Sequence, residues 1–257
     1  MEITFSLFNQ IPIYSFSIIL AIGALIGIHG VVRRALVMGE DVHTYLNLSI
    51  LILVGSLVGG RTVFVGAHWE YFQDYFVEIP QVWLGGLAWP GAFAGGLLVL
   101  TLFALLRRRN IWALGDAIMP LLTAMTISAW LGCWVSGSAY GPKVDSWWGM
   151  PMRDMWGEIS IRWPLQPLGA FLTVGIAWSL NSLKPRIHTE GLLFTLTFAG
   201  ISLSLLGLTV LRVDPGPSLY GARLDYWTAL VFAVSSLFIA LMIYIKASAR
   251  QPSLEKP

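Results

Sequence analysis

The sequence predicts an all-α polytopic membrane protein with seven transmembrane helices, its N-terminus outside and its C-terminus in the cytoplasm. Three observations predict this fold class. Hydrophobic residues make up 56% of the 257 and charged residues only 12%, about half the ~25% charged share of soluble domains, and mean hydropathy is +0.71. Apolar stretches of near-spanning length recur along the chain; ~20 residues rising ~1.5 Å each cross a ~30 Å hydrocarbon core. Lys and Arg cluster on alternate connections, the asymmetry that sets topology. The same composition excludes other classes. A net charge of +2 gives no footprint for nucleic acid. A single cysteine rules out an internal disulfide and any multi-cysteine zinc site, and no metal or cofactor is expected.

The seven spans read 11–30, 46–65, 87–106, 111–135, 164–183, 191–211 and 226–245, all within one transmembrane domain covering 1–257. The fifth has the weakest pattern, because Pro164, Gln166 and Pro167 interrupt its start. No Lys or Arg precedes Arg33, so the basic start of a cleavable signal peptide is missing and the first span is expected to remain in the mature chain. Arg33, Arg34, Arg107, Arg108, Arg109, Lys184, Arg186, Lys246, Arg250 and Lys256 fall on one side, ten of the sixteen basic residues, which reads as cytoplasmic. The long connections 66–86 and 136–163 are then outside, and twelve tryptophans suit the two interfaces. In 66–86, Glu70, Asp74 and Glu78 recur every four residues with Phe72, Phe76 and Ile79 on another face. That spacing predicts a short helix lying in the outer interface, its carboxylates a solvated stripe.

Polar residues at membrane depth are the first functional candidates, because burying a charge there is costly. Arg61 lies near the outer end of the second span, after Gly59 and Gly60, and Arg212 closes the outer end of the sixth. A guanidinium makes forked hydrogen bonds to phosphate oxygens; the structural alternative is snorkelling to headgroups. Tyr14 and Gln166 also fall near outer helix ends. Asp116 starts the fourth span, where a carboxylate suits the helix dipole as a cap. His29, His43, His68 and His188 are isolated and read as packed or solvated, since a metal site needs several ligands together. Residues 129–149 hold the only cysteine, Cys133, with Ser136, Ser138 and Ser146 and with Gly132, Gly137, Gly141 and Gly149. Small residues there serve close helix packing or line a pocket at the bundle's mouth.

Taken in order, these residues resemble the prolipoprotein diacylglyceryl transferase family. Ile13-Tyr14-Ser15-Phe16 is similar to the family's aromatic-Tyr-Gly start, and Gly59-Gly60-Arg61 to its G-x-R. The run Gly85-Gly86-Leu87-Ala88-Trp89-Pro90-Gly91-Ala92-Phe93-Ala94-Gly95-Gly96 resembles its G-G-[LM]-S-F-H-G-G-L-I-G-G. Gly141, Asp145, Trp148 and Gly149 keep the spacing of G-x-x-T-D-x-P-W-G; Arg162-Trp163-Pro164-Leu165-Gln166 resembles R-H-P-[ST]-Q; Arg212 falls on the arginine of a late F-F-R-x-P-D segment. The resemblance breaks off at positions that carry the family's chemistry. Pro90 and Trp163 stand at the family's two histidines, and Trp130 at the signature arginine. Cys133 and Ser136 stand at its asparagines and Ser138 at its glutamate. Gly169, Leu205 and Thr209 replace a further glutamate, arginine and glutamate.

The resemblance implies transfer of diacylglycerol from phosphatidylglycerol to the cysteine thiol of a lipoprotein precursor, at the outer face of a bacterial plasma membrane. It implies an outward pocket walled by the first, second, fourth and sixth spans. Arg61 and Arg212 would support phosphate there and Tyr14 and Gln166 would orient the headgroup, with Gly91, Trp130, Cys133, Ser136, Ser138 and Gly141 lining the pocket. No general base is evident unless His68, Asp145, Glu158 or Asp214 reaches in from a loop. The partners expected are phosphatidylglycerol or another anionic phospholipid and the signal peptide of a lipoprotein precursor. Two other readings stand beside transfer: a non-catalytic relative that binds phospholipid or precursor, and a transferase with a different donor or acceptor. A retinal photoreceptor is disfavoured, since the last span has no lysine before Lys246. So is an ion pump, since no chain of buried carboxylates crosses the bilayer.

Overall fold

The computed structural model describes residues 3–7, 11–183, 187 and 189–249, with side chains from residue 15 onward except that of Leu84. The basic residues Lys184, Arg186, Arg250 and Lys256, together with His188, lie outside the described residues. In chain order the elements are β1 (Ile3–Leu7), β2 (Ile11–Tyr14), α1 (Ser15–Met38), α2 (Val42–Ala67), α3 (Trp69–Phe72), α4 (Trp89–Leu106) and α5 (Ile111–Ser136). They continue with β3 (Met150–Arg153), β4 (Ile159–Arg162), α6 (Leu165–Leu183), α7 (Leu192–Val210), β5 (Ser218–Leu219), β6 (Ala222–Arg223) and α8 (Leu224–Ser248). Six of these, α1, α2, α4, α5, α7 and α8, are long and apolar enough to cross a membrane, so the chain is a multi-pass membrane protein. At the fifth expected span the chain forms α6, 19 residues, about 28 Å at ~1.5 Å per residue, but with Gln166, Ser179, Asn181 and Ser182 it is not among the helices apolar enough to cross.

Two helix ends differ from expectation for local reasons. Ile11–Tyr14 is a strand, paired antiparallel with β1 from Leu7↔Ile11 to Ile3↔Tyr14. The first helix therefore starts at Ser15 and runs on through Arg33 and Arg34 to Met38. The second starts at Val42 because Asp41 caps it, accepting from the His43 and Thr44 amides at 3.2 and 3.0 Å and from the Thr44 hydroxyl at 2.6 Å. Those three bonds favour the carboxylate, the Thr44 hydroxyl most, and hold the exposed Asp41 carboxyl below its ordinary value of 3.8.

The helices pair α1 with α5, α2 with α4 and α7 with α8, and α6 bridges α5 and α7. Close approach drives the first two seams. On α2 and α4, a Cβ at Gly59 would stand 2.3 Å from the Gly91 carbonyl oxygen and one at Gly95 2.1 Å from the Gly55 carbonyl oxygen. The backbones touch as small-residue contacts inside membranes do. Gly91, expected at a pocket wall, belongs to this seam. Several buried hydroxyls are satisfied within their own helices: Ser49 donates to Tyr45, Thr126 to Leu122 and Thr197 to Leu193, each at 2.8 Å; that of Ser202 in α7 has no partner among the described residues. Asp116 lies six positions into α5 and caps a different helix from the one expected. Its carboxylate accepts from the Gly191 and Phe194 amides at 2.7 and 2.8 Å, closing the start of α7.

The long connections gather at one end of the bundle; Arg33 and Arg34, near the end of α1, and the Arg107–Arg109 turn lie at the other, where Arg109 meets Glu40. Residues 66–86 form α3 and two single 3₁₀ turns, Phe76–Glu78 and Val82–Leu84, instead of one interfacial helix. Arg61 accounts for the break by drawing the carbonyls of Glu78 and Ile79 inward. Residues 137–164 carry an element that charge and hydropathy had not indicated, the antiparallel hairpin β3–β4 with Met150 opposite Arg162 and Arg153 opposite Ile159.

Candidate functional site

At the long-loop end, α5 runs out through Cys133 and Ser136 and stops at Gly137, which adopts φ 66°, ψ 35° and bonds back to Trp134. A left-handed C-cap suits glycine, and here a Cβ would also stand 2.6 Å from the Asp154 carbonyl oxygen. This stop turns the chain so that Ser138 returns over the helix end, its amide on the Cys133 carbonyl at 2.9 Å. The Ser136 and Ser138 hydroxyls share a 2.9 Å hydrogen bond. The Cys133 thiol interacts with the Ser138 side chain and lies in the field of Arg212, Asp214 and Asp225. Gln166, in the first turn of α6, is fully buried and donates through Nε2 to the Ser138 carbonyl at 2.8 Å; its Oε1 has no partner among the described residues. Gln166, Cys133, Ser136 and Ser138 thus form one polar group.

Beside them stands a cluster of four charges. Arg212 makes a fork on Asp214, Nε to Oδ1 at 3.0 Å and Nη2 to Oδ2 at 2.7 Å, and reaches Asp225 Oδ2 through Nη1 at 3.1 Å. Arg223 donates to the Asp214 carbonyl and to Asp225 Oδ2. The Trp89 indole, at the start of α4, donates to Asp225 Oδ1 at 3.1 Å. Two guanidinium and two carboxylate groups cancel, as buried charges must. Burial alone would lower the Arg212 pKa, but its bonds to Asp214 and the charges of Asp214 and Asp225 prevail and hold it above its ordinary value.

A second buried pair braces the hairpin above. Arg162 and Asp154 are 5% and 3% exposed and meet at 3.0 Å. The guanidinium lies over the Tyr140 ring, 4.5 Å from its centroid. Burial, with the Asp154 charge next, pushes the Tyr140 phenol up. Asp154 Oδ1 also holds the turn through the Trp156 and Glu158 amides, and the Tyr140 carbonyl accepts from Val213 at 3.1 Å, tying the hairpin to the segment that carries Arg212. Val135, Ser136 and residues 153–157 line a polar cavity of about 210 Å³ at this junction.

The remaining expected site residues fall as follows. Arg61 is 7% exposed and serves the loop: it donates to the carbonyls of Ile79, Gly85, Gly86 and Glu78 at 2.8, 2.6, 3.2 and 2.6 Å and stacks between Phe64 and Phe72. Its link to the charge cluster runs through the backbone, since residues 85–88 lead directly into Trp89. Trp130 is buried against Gly169, where a Cβ would meet the indole at 2.2 Å. Gly141 packs on Trp163 and accepts weakly from Arg162. The backbone of Tyr14 ends β2, while its side chain lies outside the described residues. Among the loop groups weighed as a base, Asp214 reaches the site. His68 is bonded to Phe64 at the end of α2, Glu158 pairs with Lys143 at 2.5 Å on the surface, and Asp145 is exposed.

Sequence reasoning missed Asp225, Arg223, Trp89 and Asp154. A signal for two of them was present: Arg212-Val213-Asp214 and Arg223-Leu224-Asp225 are two Arg-x-Asp triplets flanking a short hairpin, β5–β6, whose turn brings them together.

The comparisons agree with this frame. The family model described as prolipoprotein diacylglyceryl transferase matches residues 2–245. Curated relatives named phosphatidylglycerol–prolipoprotein diacylglyceryl transferase include one from Thermosynechococcus vestitus, 28% identical over 211 residues that make up 77% of each chain. One from Streptomyces griseus is 27% identical over 252 residues, 94% of this chain and 74% of the relative. One from Geobacillus kaustophilus is 30% identical over 138 residues, 53% of this chain and 51% of the relative. The chain belongs to the prolipoprotein diacylglyceryl transferase family.

Proposed function

We propose that the protein transfers diacylglycerol from phosphatidylglycerol to the cysteine thiol of a lipoprotein precursor, at the outer face of a bacterial plasma membrane. In this reading α6 also crosses the membrane, as the fifth of seven spans, residues 1–257 form a single domain, the N-terminus is outside and the C-terminus is cytoplasmic. The Arg212, Asp214, Asp225 and Arg223 cluster next to Cys133, Ser136, Ser138 and Gln166 is the observation that carries it. An arriving phosphate competes with carboxylate oxygens for the Arg212 and Arg223 donors. The carboxylate it displaces, Asp225 being the more exposed of the two, takes the proton of the substrate thiol. The thiolate then forms a carbon–sulfur bond at the terminal glycerol carbon as the carbon–oxygen bond to phosphate breaks. Glycerol phosphate leaves with its charge held by the arginines. In the same reading the Ser136 and Ser138 hydroxyls, which bond each other at 2.9 Å, hold headgroup oxygens. Arg61 contributes by holding residues 85–88, and with them Trp89, in position. Complementation of a bacterium depleted of its own transferase tests the proposal: rescue is expected, and failure with the protein demonstrably inserted counts against it.

One observation favours a second reading, a lipid- or precursor-binding relative without turnover. Trp130 packed on Gly169 fills with an aromatic ring the space between two positions where the family carries ionisable residues, and Gln166 is sealed from solvent. Under this reading complementation fails while the protein still retains phospholipid on extraction.

A further inference from the structure

An apolar groove of about 270 Å³ lies between α4 and α8, with the starts of α5 and α7 as its floor. It is not part of the site described above. At the long-loop end it is lined by Phe198 and Phe232, 5.6 Å apart between ring centroids, and Phe93 and Trp89 pack beyond them towards the site, with centroid distances of 5.2–6.1 Å. At the other end it reaches Ile111 and Trp112, the first residues of α5, immediately after the Arg107-Arg108-Arg109 turn. Four hydroxyls face it, but each is spent on a carbonyl of its own helix. Thr101 donates to Leu97 at 2.8 Å, Thr195 to Gly191 at 2.7 Å, Ser235 to Val231 at 2.7 Å and Ser236 to Phe232 at 2.6 Å. Apart from the Trp112 indole at its end, the lining therefore presents hydrocarbon to whatever enters. Its volume exceeds the ~150 Å³ that an apolar cavity needs to take up a benzene ring. Nothing polar inside would reward a headgroup, whereas three consecutive arginines at the mouth favour a negative one.

We propose that this groove holds an acyl chain of an anionic phospholipid from the leaflet that carries the Arg107–Arg109 turn, its headgroup on Arg107 and Arg108. Arg109 is engaged with Glu40 at 3.4 Å, while Arg107 lies over Phe103 and Arg108 continues the turn with φ 51°. The bound lipid fills the sparse α4–α8 seam. The site needs membrane insertion alone, and it stands whether or not the protein transfers diacylglycerol.

The experiment uses the full-length protein in liposomes with a phosphatidylglycerol probe carrying a diazirine at its chain end, the labelled peptides being mapped by mass spectrometry. Residues 97–101, 111–112 and 232–239 should be labelled. Ser235→Trp, which fills the groove, should cut that labelling about tenfold, the change that corresponds to ~1.4 kcal/mol. Labelling near Trp89 and Arg212 should persist. Arg107→Gln and Arg108→Gln should each cost about fivefold, and a zwitterionic probe with the same chains should label less than the anionic one. Thr101→Trp repeats the groove test from α4 should Ser235→Trp fail to insert. Groove labelling unchanged in both tryptophan variants would overturn the proposal. So would equal labelling by charged and zwitterionic probes, or an unlabelled groove whose residues crosslink instead to a protein helix or a second copy of the chain.

Discussion

Arg61 offers the sharpest contrast between a ligand and a strut. As a phosphate ligand its loss would weaken lipid binding and leave the fold intact; the geometry makes it a strut. Its guanidinium donates to the carbonyls of Glu78, Ile79, Gly85 and Gly86. Hydrogen bonds from a charged donor contribute ~1.5–3 kcal/mol each, so four of them set a gross interaction of roughly 6–12 kcal/mol. The carbonyls belong to a surface connection and regain water once it opens, which returns most of that. Arg61→Ala should therefore cost ~3–5 kcal/mol, the range for removing one partner of a buried charged contact. Arg61→Lys should recover little, because an ammonium cannot reach four carbonyls arranged around a planar fork. Hydrogen exchange across 74–88 and thermal unfolding in detergent read the effect. Loop protection unchanged in Arg61→Ala, together with weakened phospholipid retention and recovery in Arg61→Lys, would refute the strut and restore the phosphate ligand.

Three further predictions follow from the same geometry. Gly169→Ala places a methyl group inside the Trp130 ring and should cost ~1–3 kcal/mol by overpacking; combining it with Trp130→Leu should cost less than the sum of the single changes, measured by a double-mutant cycle in thermal unfolding. Arg162→Met leaves the Asp154 carboxylate buried without its partner and should cost ~3–5 kcal/mol, whereas Asp154→Asn with Arg162→Met should recover part of it and keep the β3–β4 turn closed in hydrogen exchange. The Asp41 carboxyl is held below 3.8 by Thr44, so its contribution is present above the unfolded value and lost as pH falls through the lower folded value. Amides at His43 and Thr44 should keep their protection from pH 8 down to pH ~4 and lose it below, and loss of protection near pH 6 would contradict the cap.

The membrane-spanning frame was legible because a spanning helix must be long and apolar, and length and hydropathy are properties of the chain itself. Helix ends were less so: Tyr14 sits in a strand because β1 offers it a partner, and hydropathy does not encode pairing. The site was legible in its addresses and less so in its roles. Gln166, Ser136 and Ser138 gather with Cys133 at the end of α5, and Arg212, beyond the end of α7, is near enough for its charge to act on the Cys133 thiol. Arg61 and Gly91 were drawn to the same place by family position, yet Arg61 is occupied by carbonyls and Gly91 by Gly59, contacts 17 to 32 positions away that local reading does not reveal. Asp225 escaped notice because Trp89 lies 136 positions away in the chain, and because its pairing with Arg212 depends on the β5–β6 turn, which hydropathy does not encode.

Diacylglyceryl transfer by this chain can be read directly in an assay with purified protein in liposomes, supplied with headgroup-labelled phosphatidylglycerol and a synthetic precursor peptide bearing one cysteine. The expected products are a thioether-linked diacylglyceryl peptide and an equal amount of released glycerol phosphate. Both should fall by about 10²-fold or more in Asp225→Asn, the range typical of losing a general base, and in Arg212→Gln, while labelling of the α4–α8 groove stays unchanged. Wild-type protein that binds phosphatidylglycerol and peptide but forms neither product, or an Asp225→Asn variant that transfers at the wild-type rate, would contradict the proposed reaction.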